Sequence, residues 1–264
     1  MRTLLIDADV VAYNAAFSCE KAFEFEPGYW TWQVGWDEVI EAFDAEVSRM
    51  METLQADQFK LCLTDSDGNF RLGIHPDYKG GRKSVRKPII LKHLKQYLVD
   101  ERQAFFKPGL EGDDCMGILA THPKLIPGEK IIVSIDKDMR TIPGKFIRWG
   151  TEEGCVIEEI DAEAAFYFHM KQTLMGDVTD GYKGCPGVGP KAADAILSKA
   201  LEDYPDAEPE QYRRVIWADV VAAYEKKGLT EDDAIIQARM AKILDASHYN
   251  FKTQEPILWL PPSS

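Results

Sequence analysis

The stretch LLIDADVV, residues 4–11, begins as an apolar strand and carries two carboxylates, Asp7 and Asp9. Side chains two positions apart point to the same face of a strand, so both carboxylates would leave one face together if the strand extends this far. Ligands bind at strand ends in open α/β sheets, but a short acidic pair also occurs in ordinary solvated turns. The pair alone leaves both interpretations open.

Strand-like and helix-like segments alternate around this stretch. FKLCLTD at 59–65 and KIIVSIDKD at 130–138 have the composition of strands that end in acids, and the apolar spacing of 36–54 predicts a helix. Helices are also predicted after Pro88 and from Glu111, and further strands are predicted at 104–106, 144–149 and 155–160. This alternation predicts an α/β fold with a mostly parallel central sheet flanked by helices.

From Ala162 onward the pattern is helical. Apolar residues recur at helical spacing, with Gly and Pro between the segments, in 162–175, 190–200, 210–227 and 231–244. We therefore expect an α/β core over residues 1–160 and a helical region over residues 161–264 that packs on it as one compact unit.

Composition points to a protein with a sizeable core. The chain has 264 residues, 45% of them hydrophobic, and no apolar stretch approaches the roughly 20 residues that a membrane span needs. The first apolar run is too short for a signal peptide, so we expect a soluble protein in the cytoplasm. The five cysteines form no CxxC pair, which argues against a zinc site and against a disulfide framework.

The charge is unevenly distributed along the chain. A formal net charge of −13 argues against a polyanionic partner, yet the segment from Tyr78 to Val99 has no acid. Its basic residues are Lys79, Arg82, Lys83, Arg86, Lys87, Lys92 and Lys95. Positive charge is thus concentrated in one segment, a pattern that a nucleic-acid contact would explain.

Acids recur at predicted strand ends and helix starts. They are Asp7, Asp65, Glu111, Asp113, Asp114, Asp136, Asp138, Asp177 and Asp180. Two charges about 4 Å apart repel by on the order of 4 kcal/mol near a protein surface, so convergent carboxylates need a cation. Oxygen ligands with few histidines suit Mg²⁺ or Mn²⁺, and two such ions can cleave a phosphodiester. Each acid alone could be a helix cap or a loop acid; the set favours a metal site.

A glycine-rich turn follows the last two acids. In GDVTDGYKGCPGVGPKAADAIL, residues 176–197, Gly184, Gly187 and Gly189 allow a tight turn before a helix that starts near Pro190 and Lys191. Backbone amides of such a turn can bind phosphate oxygens without reading sequence. The turn therefore predicts a grip on a nucleic-acid backbone.

These motifs together resemble the 5′-nuclease superfamily of flap endonucleases and polymerase-associated 5′ nucleases, and in particular the small bacteriophage 5′ to 3′ exonucleases. The resemblance runs through LLIDADVV, LTDSD, PDYKGGRK, LEGDDCMG, SIDKDM, the GDVTDGY to PGVGPKAA stretch and the terminal MAKILDASHYNF. It implies a PIN-like fold whose helical region holds a helix-three-turn-helix DNA-binding motif.

The resemblance also implies roles for individual residues. Asp7, Asp65, Glu111 and Asp113 would form one metal site, with Asp114 beside or between the ions, and Asp136, Asp138, Asp177 and Asp180 would form a second site. Lys79 and Arg82 would reach the scissile phosphate. DNA would be bound by Lys83, Arg86, Gly184, Gly187, Val188, Gly189 and Lys191. A potassium ion often lies at the turn in this family, while Asp9 has no required role.

One departure from the family affects the expected substrate. Only nine residues separate Tyr78 from Pro88, too few for the helical arch through which flap endonucleases thread a single strand. We therefore expect a 5′ to 3′ exonuclease for 5′ ends or nicks of duplex DNA, extending to flaps and to RNA in RNA-DNA hybrids, in phage replication or recombination.

Two alternatives belong to other functional classes. LLIDADVV also resembles the first motif of haloacid-dehalogenase-like phosphatases, with Asp7 as nucleophile, but that scheme does not use Asp65, EGDD or the basic segment. A pure DNA-binding module would be weakened by nine carboxylates facing a polyanion. Turnover of p-nitrophenyl phosphate without DNA cleavage would favour the phosphatase.

Overall fold

The structure is a computed structural model that describes residues 1–81, 86–150, 156–203 and 208–263. Its centre is a six-stranded sheet built from β1 (Arg2–Asp7), β4 (Gln58–Leu63), β5 (Phe105–Phe106), β6 (Glu129–Ser134), β7 (Gly144–Arg148) and β8 (Ile157–Ile160). The strand order is β5-β4-β1-β6-β7-β8, and only the β7–β8 pair in this sheet is antiparallel. The predicted mostly parallel sheet is confirmed.

Helices cover both faces of this sheet. Leu4 and Ile6 of β1 pack with α1 (Ala8–Cys19), α2 (Trp36–Thr53) and α3 (Leu91–Asp100). Leu5, which points the other way, packs with α4 (Gly112–Thr121). Burial on both faces explains why β1 is an unbroken apolar run rather than an alternating one.

The helical region consists of α5 (Ala162–Met175), α6 (Pro190–Asp203), α7 (Pro209–Glu225) and α8 (Glu231–Ala241). These helices share a hydrophobic cluster that includes Leu174, Ile216 and Trp259. The chain then returns to the α4 side of the sheet, where Ile243, Leu244 and Tyr249 are buried. Two short strands, β9 (Tyr249–Asn250) and β10 (Glu255–Pro256), follow there. The C-terminal segment thus contacts both clusters.

The structure corrects the interpretation of the opening stretch. β1 ends at Asp7 and α1 starts at Ala8, so Asp9 lies in the first turn of a helix. Asp7 and Asp9 therefore do not leave one strand face together. The predicted strand at 59–65 is also too long, because β4 ends at Leu63. β6 ends at Ser134, so Asp136 and Asp138 lie just past its end.

A two-stranded hairpin lies between α1 and α2 and was not predicted. It pairs β2 (Lys21–Glu26) with β3 (Tyr29–Gln33) around Pro27 and Gly28. All residues of both strands are exposed, so the hairpin adds nothing to the core. Within the described ranges, every helix is either too short or too polar to cross a membrane.

Candidate active site

Asp7 anchors the site at the end of β1. Its Oδ1 accepts the Val10 N–H at 3.3 Å and so caps α1, while its Oδ2 accepts the Ser134 hydroxyl at 2.9 Å. Because β1 and β6 are neighbours in the parallel sheet, the carboxyl end of each strand lies beside the other. Ser134 thus ties Asp7 to the acids that follow β6.

Asp136 and Asp138 lie directly after β6. The Asp136 N–H donates to Ser134 Oγ at 3.1 Å, and Asp136 Oδ1 accepts the Asp138 N–H at 2.8 Å, which starts a short 3₁₀ helix over Lys137–Thr141. Asp138 Oδ1 is buried and has no hydrogen-bond partner. A buried carboxylate oxygen without a donor is costly, so this atom calls for a cation or a proton.

Glu111 and Asp113 approach from the start of α4. Glu111 is the N-cap residue of this helix and is 6% exposed. Its Oε2 accepts the Tyr78 hydroxyl at 2.9 Å, and its Oε1 accepts the Lys79 ammonium. Asp113 lies in the first turn of α4.

The electrostatics show that several of these acids lie close together. Burial and then the neighbouring Asp9 raise the pKa of Asp7 to about 7. Burial and the charges of Asp7 and Asp136 hold the pKa of Asp113 well above its usual range. Burial and the Asp136 charge raise the pKa of Asp138 to about 7, with smaller contributions from Asp177 and Asp180. Acids from four segments therefore repel one another in one place.

Asp177 and Asp180 follow α5. Asp177 Oδ1 accepts the N–H groups of Thr179 and Asp180, which shapes the turn. Asp180 Oδ2 accepts the Tyr78 hydroxyl at 3.3 Å and lies 3.7 Å from Lys79 Nζ. Lys79 thus lies between the carboxylates of Glu111 and Asp180. Burial lowers the pKa of Lys79, but the charges of these two acids outweigh it and the pKa is raised.

Two of the predicted metal ligands are placed differently. Asp114 is fully buried, and both of its oxygens accept from Arg71 at 2.8 Å and from a backbone N–H, that of Glu111 or that of Leu244. Although burial opposes it, the Arg71 charge lowers the pKa of Asp114. The structure places Asp114 in an internal ion pair, so its assignment to the metal site stays a prediction that these contacts do not support.

Asp65 is held by backbone N–H groups of its own turn and of the loop before α4. Its Oδ1 accepts the Asp67 N–H at 2.9 Å and its Oδ2 accepts the Gly109 N–H at 2.7 Å. The structure does not draw Asp65 into the contacts described above for the other acids, so its role as a ligand stays a prediction.

The other predicted ligands have the oxygen donors that a hard divalent cation prefers, but in this structure they are not arranged around a common point. Among the described residues, no three His, Cys, Asp or Glu side chains form a ready metal-binding group. Glu111 and Asp180 instead face Lys79, and would have to turn from it to bind an ion. The unpartnered Asp138 oxygen, the raised pKa values and the all-oxygen donor set suit Mg²⁺ or Mn²⁺.

The glycine-rich turn separates into a buried part and an exposed part. Gly184 is buried, its N–H donates to Gln237 Oε1, and a Cβ there would lie 2.3 Å from the Gly176 nitrogen. Gly184 therefore serves close packing of the chain, and its burial does not support the predicted DNA contact. Gly187 and Gly189 are exposed, and Val188 is half-buried.

The exposed part of the turn adjoins lysine side chains. Lys191 is exposed in the first turn of α6, and Lys227 Nζ lies 3.8 Å from the position that a Cβ on Gly187 would take. An exposed glycine turn at a helix start, with a lysine ammonium close by, is suited to a phosphate oxygen. This arrangement agrees with the predicted contact of Gly187, Val188, Gly189 and Lys191 with DNA, which itself stays a prediction.

The basic segment is described only in part. Arg82 and Lys83 lie outside the described residues. Arg86 pairs with Glu20 at 2.7 Å, and its guanidinium carbon lies 4.1 Å from the centre of the Trp32 ring. Arg86 is thus engaged with the hairpin, and a DNA contact would require it to leave Glu20.

Sequence reasoning missed several polar residues that support the acids. Arg71 binds Asp114 and Glu111, and Tyr78 donates to both Glu111 and Asp180. Asp9 accepts the Thr64 N–H at 2.8 Å and pairs with Lys95 at 2.7 Å. A lone Arg or Tyr in a loop gives no periodic signal, so only the fold shows these contacts.

The family described as "5′-3′ exonuclease, N-terminal resolvase-like domain" matches residues 2–165 of this chain. The chain belongs to this 5′-3′ exonuclease family. It is 34% identical over 223 residues to the exonuclease of Escherichia phage T7, across 76% of this chain and 73% of that protein. It is 33% identical over 229 residues to the exodeoxyribonuclease of Enterobacteria phage T3, across 77% and 73% of the two chains. As an exonuclease it is an enzyme, so the phosphatase and binding-module alternatives are set aside.

Solved structures of bacteriophage T5 proteins share the fold of this exonuclease. The T5 5′-exonuclease with bound zinc superposes with a TM-score of 0.53 at 16% identity, across 91% of this chain and 97% of that one. The T5 flap endonuclease in complex with DNA and metal ions gives 0.52 at 15% identity, again across 91% and 97%. These likenesses confirm the predicted 5′-nuclease fold.

Proposed function

We propose that this exonuclease depends on divalent cations and removes nucleotides from the 5′ ends of duplex DNA. The observation that carries the proposal is the convergence of acids at the strand ends, where burial and neighbouring carboxylates, Asp136 among them, raise the pKa of Asp7, Asp113 and Asp138. Uncompensated buried charge destabilises a fold, so this repulsion calls for a ligand that offsets it. A cation is the ligand that removes the repulsion.

The proposed ligands are grouped in two sets. Asp7, Glu111 and Asp113 would hold one Mg²⁺ or Mn²⁺ ion, and Asp136, Asp138, Asp177 and Asp180 would hold a second. Asp65 joins the first set on the family resemblance alone. Divalent ions held there supply activation of the attacking water and stabilisation of charge on the leaving oxygen.

The chain's own residues would position the substrate. Lys79 lies among the proposed ligands, where its ammonium can bind the scissile phosphate once Glu111 and Asp180 turn to the ions. Gly187, Val188, Gly189 and Lys191 would bind the duplex backbone at a distance from the chemistry. The resemblance assigns Arg82 to the phosphate, Lys83 and Arg86 to DNA, and a potassium ion to the turn. Products would carry a 5′ phosphate.

The short segment between Tyr78 and α3 favours duplex ends over long flaps as substrates. Only residues 79–90 separate Tyr78 from α3, which is too short for a helical arch around a threaded strand. We extend the proposal to short flaps, to RNA in RNA-DNA hybrids and to a role in phage DNA replication or recombination in the host cytoplasm.

A digestion series tests this proposal. Duplexes labelled at the 5′ or the 3′ end, together with nicked, flapped and hybrid substrates, are incubated with Mg²⁺ or with EDTA. We expect early release of the 5′ label with Mg²⁺ and none with EDTA, and weak cleavage of flaps with blocked 5′ ends. Asp136→Ala and Asp177→Ala should abolish cleavage and still bind DNA. Cleavage in EDTA, or wild-type rates in either variant, would refute the metal assignment.

A further inference from the structure

Arg71 is a fully buried arginine directly behind the candidate active site. It lies in a short 3₁₀ helix over Phe70–Gly73 that follows β4, and its side chain is 2% exposed. Burying a guanidinium is costly unless all of its N–H groups are satisfied. Its partners therefore show what the charge is used for.

All five N–H groups of Arg71 have acceptors. Nη1 donates to Asp114 Oδ2 at 2.8 Å and to Glu111 Oε2 at 3.3 Å. Nη2 donates to Asp114 Oδ1 at 2.8 Å and to the Lys242 carbonyl at 2.7 Å, and Nε donates to the Met240 carbonyl at 3.4 Å. The planar fork of arginine is matched to this set, whereas a lysine has three donors on one atom.

The acceptors join two distant parts of the chain. Glu111 and Asp114 begin α4, while Met240 and Lys242 lie at the end of α8, in the terminal MAKILDASHYNF motif. The Leu244 N–H closes the connection, since it donates to Asp114 Oδ1 at 3.0 Å. The family match ends at residue 165, so these C-terminal contacts lie beyond it.

Glu111 links these contacts to the candidate active site. Its Oε2 accepts from both Arg71 and Tyr78, and its Oε1 accepts from Lys79, so the orientation of the carboxylate is determined by three donors. Arg71 also lies against the Tyr78 ring, with 5.8 Å between the guanidinium carbon and the ring centre. A change at Arg71 would therefore move Glu111 and Tyr78 together.

We propose that Arg71 is a positioning residue which, anchored by Asp114 and by residues 240–244, holds the Glu111 carboxylate for metal binding. In this proposal the C-terminal motif belongs to the helical region and also supports the active site through Arg71 and Asp114. The inference rests on the proposed metal-dependent function. It assigns Asp114 to Arg71 rather than to an ion.

The variant Arg71→Lys tests the inference, with Arg2→Lys as its matched control. Arg2 also joins a carboxylate, Glu129, to a backbone carbonyl, that of Leu54, but at the opposite end of β1. Three quantities are measured for each variant: kcat on duplex DNA, Mn²⁺ affinity by calorimetry without DNA, and DNA affinity in EDTA. Circular dichroism and thermal melting check the fold.

We expect Arg71→Lys to lower kcat and Mn²⁺ affinity by about 10- to 100-fold each, the range typical of residues that orient metal ligands. DNA affinity in EDTA should stay within about threefold of wild type, because Arg71 is buried away from DNA. Arg2→Lys should leave all three unchanged. A folded Arg71→Lys with wild-type kcat and Mn²⁺ affinity, or equal losses in both variants, would overturn the inference.

Hydrogen exchange of the wild-type protein gives a second test that no folding defect can obscure. The Leu244 amide should be protected in EDTA and equally protected with Mg²⁺, because its acceptor Asp114 stays on Arg71. Loss of that protection with Mg²⁺ would show that Asp114 leaves Arg71 to bind the ion, and the inference would then be wrong. If the wild-type protein cleaves no DNA, the proposed function fails. The Mn²⁺ affinity and the hydrogen exchange of Leu244 still test the positioning role of Arg71.

Discussion

Lys79 contacts Asp180 through both its backbone and its side chain. Its N–H donates to the Asp180 carbonyl at 2.9 Å, and its ammonium lies 3.7 Å from Asp180 Oδ2. Lys79 belongs to the loop after β4 and Asp180 to the turn after α5, so the pair joins the α/β core to the helical region at the site. The φ of Lys79 is 53°, a left-handed conformation that costs a non-glycine residue about 1 kcal/mol or more.

Gly181→Ala should disturb this pair without removing a charged group. Gly181 has a φ of +85°, and a Cβ there would lie 3.0 Å from the Asp77 carbonyl oxygen. The strain should cost about 1–3 kcal/mol of stability and displace Lys79 from Asp180, lowering kcat by about tenfold. Steady-state kinetics and thermal melting measure both effects. Gly28→Ala is the control, because Gly28 has a φ of +80° with no atom within 4 Å; equal kinetics in both variants would contradict the prediction.

Lys79→Ala should act on the rate rather than on binding. Its ammonium lies among the proposed metal ligands, where a cation stabilises transition-state charge, and losing such a group costs about 10²–10³ in kcat. The KM for DNA should change less than threefold, because the proposed duplex contacts of Gly187, Val188, Gly189 and Lys191 lie elsewhere. Lys60→Ala, an exposed lysine on β4, should match wild type. An increase in KM at constant kcat would assign Lys79 to binding instead.

Sequence patterns predicted the parts of the fold that depend on periodicity. β1, β4 and β6 each contain a short apolar run that is buried on both faces, at 4–6, 61–63 and 131–133, and the 36–54 helix has an apolar stripe. Both patterns can be recognised in the sequence. The α1 helix was missed because AYNAAF follows DADVV with no polar face to mark a period. The hairpin has a turn signal in the sequence, because Pro27 and Gly28 separate two aromatic runs, but its strands have no buried face and so no alternating pattern.

The sequence predicted the acids of the site but not the residues that hold those acids in place. Asp7, Asp113, Asp136 and Asp138 follow strands or open helices, and the parallel sheet brings them together. Asp114 is adjacent to Asp113 in sequence, yet its side chain points inward to Arg71, which lies 43 positions away in the chain. Which of two adjacent acids faces the core depends on tertiary packing, and a linear motif does not contain that information.

Stability of the metal-free protein should fall as pH rises from about 4 to 7. The pKa values of Asp7 and Asp138 are raised to about 7 in the folded state from an unfolded value of 3.8. The folded state therefore binds more protons in this window, and unfolding becomes easier as they are lost. Thermal melting in EDTA at pH 5 and pH 8 measures the fall, and Mg²⁺ should restore stability more at pH 8.

Asp138→Asn isolates one of these groups. An amide cannot ionise, so the variant should melt at a higher temperature than wild type in EDTA at pH 8, by a few degrees for each kcal/mol gained. It should also lose the Mg²⁺-dependent gain and most activity. Asp44→Asn, whose carboxylate pairs with Arg102 on the surface, should show neither change. A lower melting temperature for Asp138→Asn at pH 8 would show that Asp138 is not under charge repulsion.

Lys191→Ala should weaken DNA binding while leaving the chemistry intact. Lys191 is exposed at the start of α6, just after the Gly187 turn, so its loss should remove one of the proposed phosphate contacts. Each such contact releases counterions, so the slope of log affinity against log salt should decrease by about 1. Equilibrium binding at several salt concentrations in EDTA measures the slope, and single-turnover rates at saturating enzyme should match wild type. Lys199→Ala, exposed further along the same helix, is the control. Equal slopes for the two variants would place the duplex on another surface and remove the glycine-rich turn from the proposed DNA contact.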